Sequence, residues 1–160
     1  MFFQLYKSKK NVCIWAKNNW TSGDLSGAYA YRYEFVIYAV KGRPKLNGYR
    51  LNDIWLFDRV AGKDQLHQNQ KPVALLSQII DKSSKRGDLV FDPFMGTGTT
   101  LVAAENLGRN SIGIELSAEY CEIARARLAH AAGEGNEMMT EQTKTPVNYP
   151  QLPLAPLTLF

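Results

Sequence analysis

Two carboxylates and a glycine turn are the residues of this chain best suited to chemistry. Asp92 ends an apolar run, and Gly96 and Gly98 follow it closely. Glu115 ends a second apolar run, 23 residues after Asp92. Glycine allows positive φ and lacks the Cβ that would keep a ligand away from the backbone. A nucleoside can therefore lie over such a turn, and a carboxylate at the neighbouring strand end can accept hydrogen bonds from both ribose hydroxyls.

The pattern around these residues predicts a strand, a helix and a second strand. We predict strands over Leu89–Asp92 and Ile112–Glu115, with a helix over Thr99–Leu107 between them. Thr99 and Thr100 are candidate caps for this helix, and Gly108 follows its end. Parallel strands joined in this way bind ligands at their carboxyl ends.

Two other interpretations of the turn stay open at this point. A tight strand-to-helix turn followed by a surface glutamate would show the same residues. A dinucleotide-binding turn would require a third glycine where Leu101 stands, and the carboxylate of Asp92 would repel a pyrophosphate. The same carboxylate would pair well with the ammonium or sulfonium of S-adenosylmethionine, which is the ligand the pattern favours.

The rest of the chain predicts more of an α/β sheet, but not a complete one. With 160 residues and 45% hydrophobic residues, the chain is long enough for about one domain. Further strands are predicted over Val12–Ala16, Tyr33–Val40 and, more weakly, Ile54–Phe57, and helices over Val73–Ile80 and after a cap at Ser117. So few strands leave open sheet edges, which invite pairing with another chain.

A longer pattern surrounds the glycine turn. It consists of His67 to Val73, Gly87-Asp88, Asp92 to Phe94, Gly96, Gly98 to Thr100, Gly108-Arg109, Gly113, Glu115, Tyr120-Cys121, Ala124 and Arg127-Leu128. In these residues the chain resembles the site-specific DNA amino-methyltransferases, which methylate the exocyclic amine of adenine or cytosine. It is most similar to the subgroup in which the cofactor motif follows the catalytic motif, as in phage and restriction-modification enzymes. The resemblance implies an α/β fold of the Rossmann-like three-layer αβα methyltransferase type, with S-adenosyl-L-methionine as cofactor.

The resemblance assigns a set of residues to the cofactor. The segment with Lys71 and Pro72 matches a motif that helps hold the methionine end, Asp92 is expected near the methionine amine, and Glu115 corresponds to the ribose-binding acid. Lys71 could equally be a solvated residue at a helix start, because Pro72 as first helical residue explains that segment by itself. The whole set is Lys71, Pro72, Asp92, Pro93, Phe94, Gly96, Gly98, Thr99, Thr100 and Glu115.

The family's catalytic motif is missing from this sequence. The family holds the target amine with an Asp/Asn/Ser-Pro-Pro-aromatic motif, and no Pro-Pro pair occurs here. Such acceptors matter because an exocyclic amine is a poor nucleophile. We therefore predict no catalytic residue and an N-terminally truncated fold. A complementing N-terminal fragment, a homo-oligomer, a mis-assigned start, or a decayed prophage or restriction remnant without activity all stay open, as does a non-enzymatic DNA- or cofactor-binding module.

Charge divides the chain into regions. The net charge is +6 for residues 1–66 and −2 for residues 67–160. We predict a remnant strand of the catalytic half over 1–18, a DNA-contact region over 19–66, a cofactor region over 67–130 and a flexible tail over 131–160. Basic side chains in a glycine-rich loop can reach phosphates of double-stranded DNA, although a solvated turn is the alternative. The candidate contacts are Lys41, Arg43, Lys45, Asn47 and Arg50.

Several features bear on metals, location and partners. His67 and His130 have no partners at metal-ligand spacing, so we predict no metal site. The absence of a signal peptide, a transmembrane run or a disulfide framework predicts a cytoplasmic protein without a membrane partner. The last ten residues look like the peptides that dock on the bacterial sliding clamp, although Pro156 stands where a glutamine is expected. The alternative is a tail that packs on its own domain or has no role.

Overall fold

The computed structural model describes residues 8–19, 24, 26–62, 65–67 and 69–138. These residues fall into two compact units. The first unit contains the described chain up to Gly42 together with Asn52–Phe57. The second contains Arg43–Leu51 and the described chain from Asp58 onward. The predicted DNA-contact loop is therefore divided between the two units at Gly42.

The first unit is built on a three-stranded sheet. Its strands are β1 (Ser8–Ala16), β2 (Tyr33–Val40) and β3 (Ile54–Leu56), in the order β2-β1-β3. β1 is antiparallel to β2 and parallel to β3. All three strands were predicted, and the bounds of β2 agree with the prediction. β1 begins four residues earlier than its apolar run, because backbone pairing with β2 continues past the side chains that form the pattern.

The two faces of this sheet differ in exposure. On one face Cys13 and Trp15 are buried, and the Trp15 indole N–H donates a 2.7 Å hydrogen bond to the carbonyl of Phe57. The strand register aligns Ile14 with Phe35 on one side and Ile54 on the other. Phe35 is 63% exposed. The exposed face carries Val12, Tyr33, Phe35, Ile37, Ile54 and Leu56.

The second unit contains a parallel strand pair and three helices. In chain order these are α1 (Val73–Ser83), β4 (Leu89–Asp92), α2 (Thr99–Asn106), β5 (Asn110–Gly113) and α3 (Ala118–Met138). β4 and β5 are paired so that Asp92 lies beside Gly113. Helix α2 contacts both strands and the other two helices. Its residues Ala103 and Ala104 are fully buried and form a core with Ile80, on which Val73, Leu76, Val90 and Leu107 pack.

Two predictions at element ends are corrected here. β5 ends at Gly113 and not at Glu115, which therefore lies in the loop after the strand. The N-cap of α2 is Gly98, with φ of 79° and no side-chain cap, so the prediction that Thr99 or Thr100 caps this helix is wrong. The physical reason is that both threonines lie inside the helix, after the N-cap position, and the Thr99 hydroxyl accepts a hydrogen bond from Arg127. The predicted cap at Ser117 is present, because its Oγ accepts from the N–H of Tyr120 at 3.3 Å.

Helix α3 is longer than predicted. It continues to Met138, so the prediction of a flexible tail is wrong for residues 131–138. Ala131 is buried, which shows that this side of the helix still packs beyond His130. Residues 139–160, which include the candidate clamp-binding peptide, lie outside the described residues. Within the described part of the chain, the helices are too short or too polar to cross a bilayer.

Candidate functional site at the ends of two parallel strands

The glycine turn is fixed by backbone hydrogen bonds at the end of β4. The carbonyl of Asp92 accepts from the N–H of Ile114 at 2.9 Å, and the N–H of Met95 donates to the carbonyl of Ile114 at 3.0 Å. The turn uses the positive φ that glycine allows, at 54° for Gly96 and 79° for Gly98. The turn therefore sits directly beside the chain that leaves β5.

The two glycines of the turn are needed for different reasons. A Cβ added at Gly98 would lie 2.8 Å from the Cβ of Ala124 on α3. A Cβ added at Gly96 would have nothing within 4 Å. Gly98 thus allows α3 to pack closely against the turn. Gly96 leaves free space on the other side, where a ligand could approach the backbone.

The carboxylate of Glu115 is tied to this turn. Its Oε2 accepts from the N–H of Gly96 at 3.0 Å, and its Oε1 accepts from the N–H groups of Leu116 at 2.8 Å and Ser117 at 2.9 Å. The hydrogen bond from Ser117 is the main cause that lowers the pKa of Glu115 below its ordinary value of 4.5. The bonds from Gly96 and Leu116 and the charge of His67 lower it further, while desolvation opposes them. Glu115 is therefore held as an ionised acceptor.

These bonds limit what Glu115 can offer a ligand. A carboxylate has about four lone-pair positions, and backbone N–H groups fill three of them. As the side chain is placed, Oε2 can accept one more hydrogen bond. The predicted bonds to both ribose hydroxyls therefore require the carboxylate to release a backbone N–H.

Asp92 keeps more of its capacity to accept hydrogen bonds than Glu115 does. Its Oδ1 accepts from the N–H of Phe94 at 3.0 Å, which shapes the start of the turn. Oδ2 has no hydrogen-bond partner within the part of the chain that the structure describes. The ring of Phe94 is 80% exposed next to it. Asp92 can thus still pair with a cation at the carboxyl end of β4.

The segment before α1 reaches the same region through His67. The His67 ring packs edge to face on Tyr120, with 4.8 Å between the ring centroids, and its charge acts on Glu115. Pro72 is the N-cap of α1, with ψ of 139°, so the prediction that it is the first helical residue is wrong by one position. Sequence reasoning placed His67 in the family pattern and considered it as a metal ligand, but its spacing gave no signal of the contact with Tyr120.

Arg127 is a second residue that sequence reasoning missed. Its Nη1 donates to the carbonyl of Thr97 at 2.6 Å, to the Thr97 hydroxyl at 3.1 Å and to the Thr99 hydroxyl at 3.2 Å. Burial lowers the pKa of the Arg127 guanidinium. The only sequence signal was its place in the family pattern. Arg127 therefore connects α3 to the glycine turn.

Two cavities lie beside these residues. One of about 370 Å³ is lined by Met95, Gly113 and Glu115, among others. Another of about 620 Å³ is lined by Gln70, Pro72 and Arg127, with apolar neighbours. The structure thus brings Gly96, Glu115 and the His67 segment together. Asp92 and Phe94 line neither cavity. Asp92 is the last residue of β4, and Phe94 follows it in the turn.

The predicted DNA contacts fall into two groups. Lys41, Arg43, Lys45 and Arg50 have exposed side chains. Asn47 does not fit this role, because its Nδ2 donates to the carbonyls of Asp81 at 2.7 Å and Ser84 at 2.6 Å. Nδ2 has two hydrogens, and both are used at the C-terminal end of α1. Asn47 holds the loop on α1, so of its amide group only Oδ1 is left to contact a base edge.

The strands, the glycine turn and the tethered acid are the features of a nucleoside-binding α/β fold of the methyltransferase type. Residues 3–126 match the N6/N4 family described as DNA methylase. The chain therefore belongs to the N6/N4 DNA methylase family.

Individual relatives agree with this family. The chain is 39% identical over 122 residues to the type II methyltransferase M2.DpnII of Streptococcus pneumoniae, which covers 72% of this chain and 40% of that protein. It is 36% identical over 128 residues to M2.LlaDCHI of Lactococcus lactis subsp. cremoris, over 76% of this chain and 43% of that protein. The chain thus spans about two-fifths of the length of these curated relatives.

A solved structure confirms the predicted fold class. The crystal structure of the M1.HpyAVI–SAM complex is 36% identical to this chain and superposes with a TM-score of 0.64. The match covers 75% of this chain and 62% of that one. The fold is therefore Rossmann-like.

Proposed function

We propose that this chain forms the cofactor-binding and DNA-contacting part of an S-adenosylmethionine-dependent DNA methyltransferase. The enzyme transfers a methyl group to the exocyclic amine of adenine or cytosine in double-stranded DNA. The observation that carries this proposal is the link from Glu115 to the backbone of Gly96, which sets an ionised acceptor beside an open turn at the ends of two parallel strands. Family membership supports the same reaction class.

The residues at the site fit S-adenosylmethionine. Oδ2 of Asp92 can accept from the methionine ammonium, and Oε2 of Glu115 can accept from one ribose hydroxyl. Gly96 presents backbone without a side chain, so a flat nucleoside can lie against it. When bound, the donor supplies a methyl group activated by its sulfonium. Lys71, Pro72, Pro93, Phe94, Gly98, Thr99 and Thr100 complete the proposed site.

The acceptors for the target amine lie outside this sequence. A three-layer fold has helices on both faces of its sheet. In the first unit, the face with Phe35 and Ile37 is exposed among the described residues. In the second unit, the same is true of the face with Leu89, Phe91 and Ile112. We propose that the rest of a methyltransferase fold covers these faces, carries the Pro-Pro-aromatic motif, and is supplied in the same or in a separate chain.

Basic side chains support DNA as the substrate. Lys41, Arg43, Lys45 and Arg50 are exposed and can pair with phosphates without sequence preference. The target base must leave the helix to reach the donor, which is the way enzymes act on base atoms inside a duplex. Such a reaction takes place in the cytoplasm and suits restriction-modification, of chromosomal or prophage origin. A sliding clamp is a candidate partner of the last ten residues.

Two measurements test this function. Calorimetry with S-adenosylhomocysteine should show binding to the chain alone, since the donor site is built from its own residues. Labelled methyl transfer to unmethylated DNA should require a polypeptide that carries the Pro-Pro-aromatic motif. No binding of S-adenosylhomocysteine, or no transfer after complementation, would refute the corresponding part of the proposal. For the clamp, a pull-down should fail when the last five residues are deleted.

A further inference from the structure

We propose that Arg127 is a positioning residue of the donor-binding turn, which it holds from helix α3. This inference rests on the proposed donor site and adds a residue on α3 to it. It concerns neither contact with the donor nor the chemical step.

The geometry gives Arg127 control over the turn. The two hydrogens of its Nη1 are shared among three acceptors on Thr97 and Thr99, which flank Gly98. Both threonines are buried, with 4% and 7% exposure. Ala124 lies three residues before Arg127 on the same side of α3, and its Cβ is the atom nearest to a Cβ added at Gly98. One side of α3 therefore fixes both the path of the turn and the orientation of its hydroxyls.

Stability alone does not account for an arginine in this place. Its guanidinium lies at the N-terminus of α2, where the helix dipole is positive and favours anions instead of cations. Burial also disfavours its charge, as the lowered pKa of Arg127 shows. A large apolar side chain would avoid both penalties. The hydrogen bonds to the turn offset these two penalties.

A displaced turn would alter the ligand side directly. The N–H of Gly96 is bonded to Glu115, so a shift of the turn would move the backbone and the acceptor together. Arg127 also lines the cavity beside Gln70 and Pro72, in the segment that precedes α1. The same side chain is therefore next to both segments of the proposed donor site.

The test is the affinity for S-adenosylhomocysteine of the Arg127→Met and Arg127→Lys variants, measured by calorimetry on the full chain. Arg127→Met should bind about 10-fold more weakly, as expected for the loss of charge-assisted hydrogen bonds that hold a site. Its melting temperature should fall as well, because the carbonyl of Thr97 and two buried hydroxyls lose their donor, although a desolvated charge is lost with the bonds. Arg127→Lys should recover part of the affinity. The control is Arg86→Met, since Arg86 is an exposed arginine of the same unit and lines neither cavity of the candidate site.

A second variant keeps the test decisive if Arg127→Met does not fold. Thr97→Val removes one acceptor of Arg127 at nearly constant volume and should weaken binding less than Arg127→Met. In the double variant, Thr97→Val should add no further loss, because both changes act through one contact. Wild-type affinity in Arg127→Met, or additive losses in the double variant, would overturn the inference about Arg127. The proposal of a donor site would not be affected by either result. If the wild-type chain binds no S-adenosylhomocysteine, the proposed function fails first, and this inference fails with it.

Discussion

Oε2 of Glu115 lies 3.0 Å from the backbone nitrogen of Gly96 and so joins the end of β5 to the turn after β4. The carboxylate that the sequence assigns to a ribose is thus also a structural tie between two strand ends. Its second oxygen holds the N–H groups of Leu116 and Ser117, just before α3 begins. Substitutions at Glu115 should therefore affect stability and ligand binding together.

Glu115→Gln should lose most of its affinity for S-adenosylhomocysteine and lower the melting temperature. The amide nitrogen of glutamine is a donor, so it cannot accept from the N–H groups that face one oxygen of Glu115. Calorimetry and a thermal melt measure the two effects. Glu119→Gln, an exposed change in the first turn of α3, is the matched control. Unchanged affinity in Glu115→Gln would remove Glu115 from the site.

The contribution of Glu115 to stability should depend on pH. Hydrogen bonding lowers its pKa in the folded protein below the ordinary value of 4.5. Its contribution is therefore fully present above that value and is lost as the pH falls through the lower folded pKa. The difference in unfolding free energy between wild type and Glu115→Gln should shrink as the pH falls below about 4. Urea unfolding at several pH values measures it, and a difference that grows toward acid would contradict the assignment.

Gly96→Ala and Gly98→Ala should separate binding from stability. Both positions have positive φ, which costs an alanine about 1–2 kcal/mol. Gly98→Ala should cost more than this, because the new Cβ would collide with Ala124. Gly96→Ala meets no protein atom, and its additional effect should be weaker binding of S-adenosylhomocysteine. Denaturant unfolding and calorimetry on both variants check this, and equal stability losses would count against the packing argument.

Substitutions in the basic loop should affect either DNA binding or stability, depending on the residue. Arg43→Ala and Lys45→Ala should leave stability unchanged and each lower the salt dependence of DNA binding by about one unit in the log–log slope. Asn47→Ala should instead destabilise the protein by about 1–3 kcal/mol, since it leaves two carbonyls at the end of α1 without their donor. DNA affinity at several salt concentrations and urea unfolding measure the two outcomes. A salt slope unchanged in both basic variants would refute the phosphate contacts.

The two cysteines should differ in reactivity. Burial, and then the negative charge of Asp53, raise the pKa of the Cys13 thiol above 9.0. Cys121 is only half-buried. At about pH 8, a thiol reagent should therefore modify Cys121 well before Cys13 in the native protein. Mass spectrometry at early reaction times measures the modification of each cysteine. In the Cys121→Ser variant, only the slow modification of Cys13 should remain.

Local patterns in the sequence were sufficient for most of the elements. Alternation of side chains predicted β2, and an apolar run predicted β4, because both follow from the chemistry of consecutive residues. The positive φ values of Gly96 and Gly98 were predictable for the same reason. The errors lie at element ends, such as the uncapped start of α2, where a distant residue decides the outcome.

The sequence by itself determined the glycine turn, the two acids and the family, because these depend on residue types at fixed spacing along the chain. Only the tertiary structure decided that Glu115 is bonded to Gly96, that Asn47 serves α1, and that Arg127 reaches the turn from α3. These contacts join residues that are 19 to 37 positions apart in the sequence. Contacts at such separation depend on how the helices pack on the sheet, and no local pattern in the sequence encodes that packing.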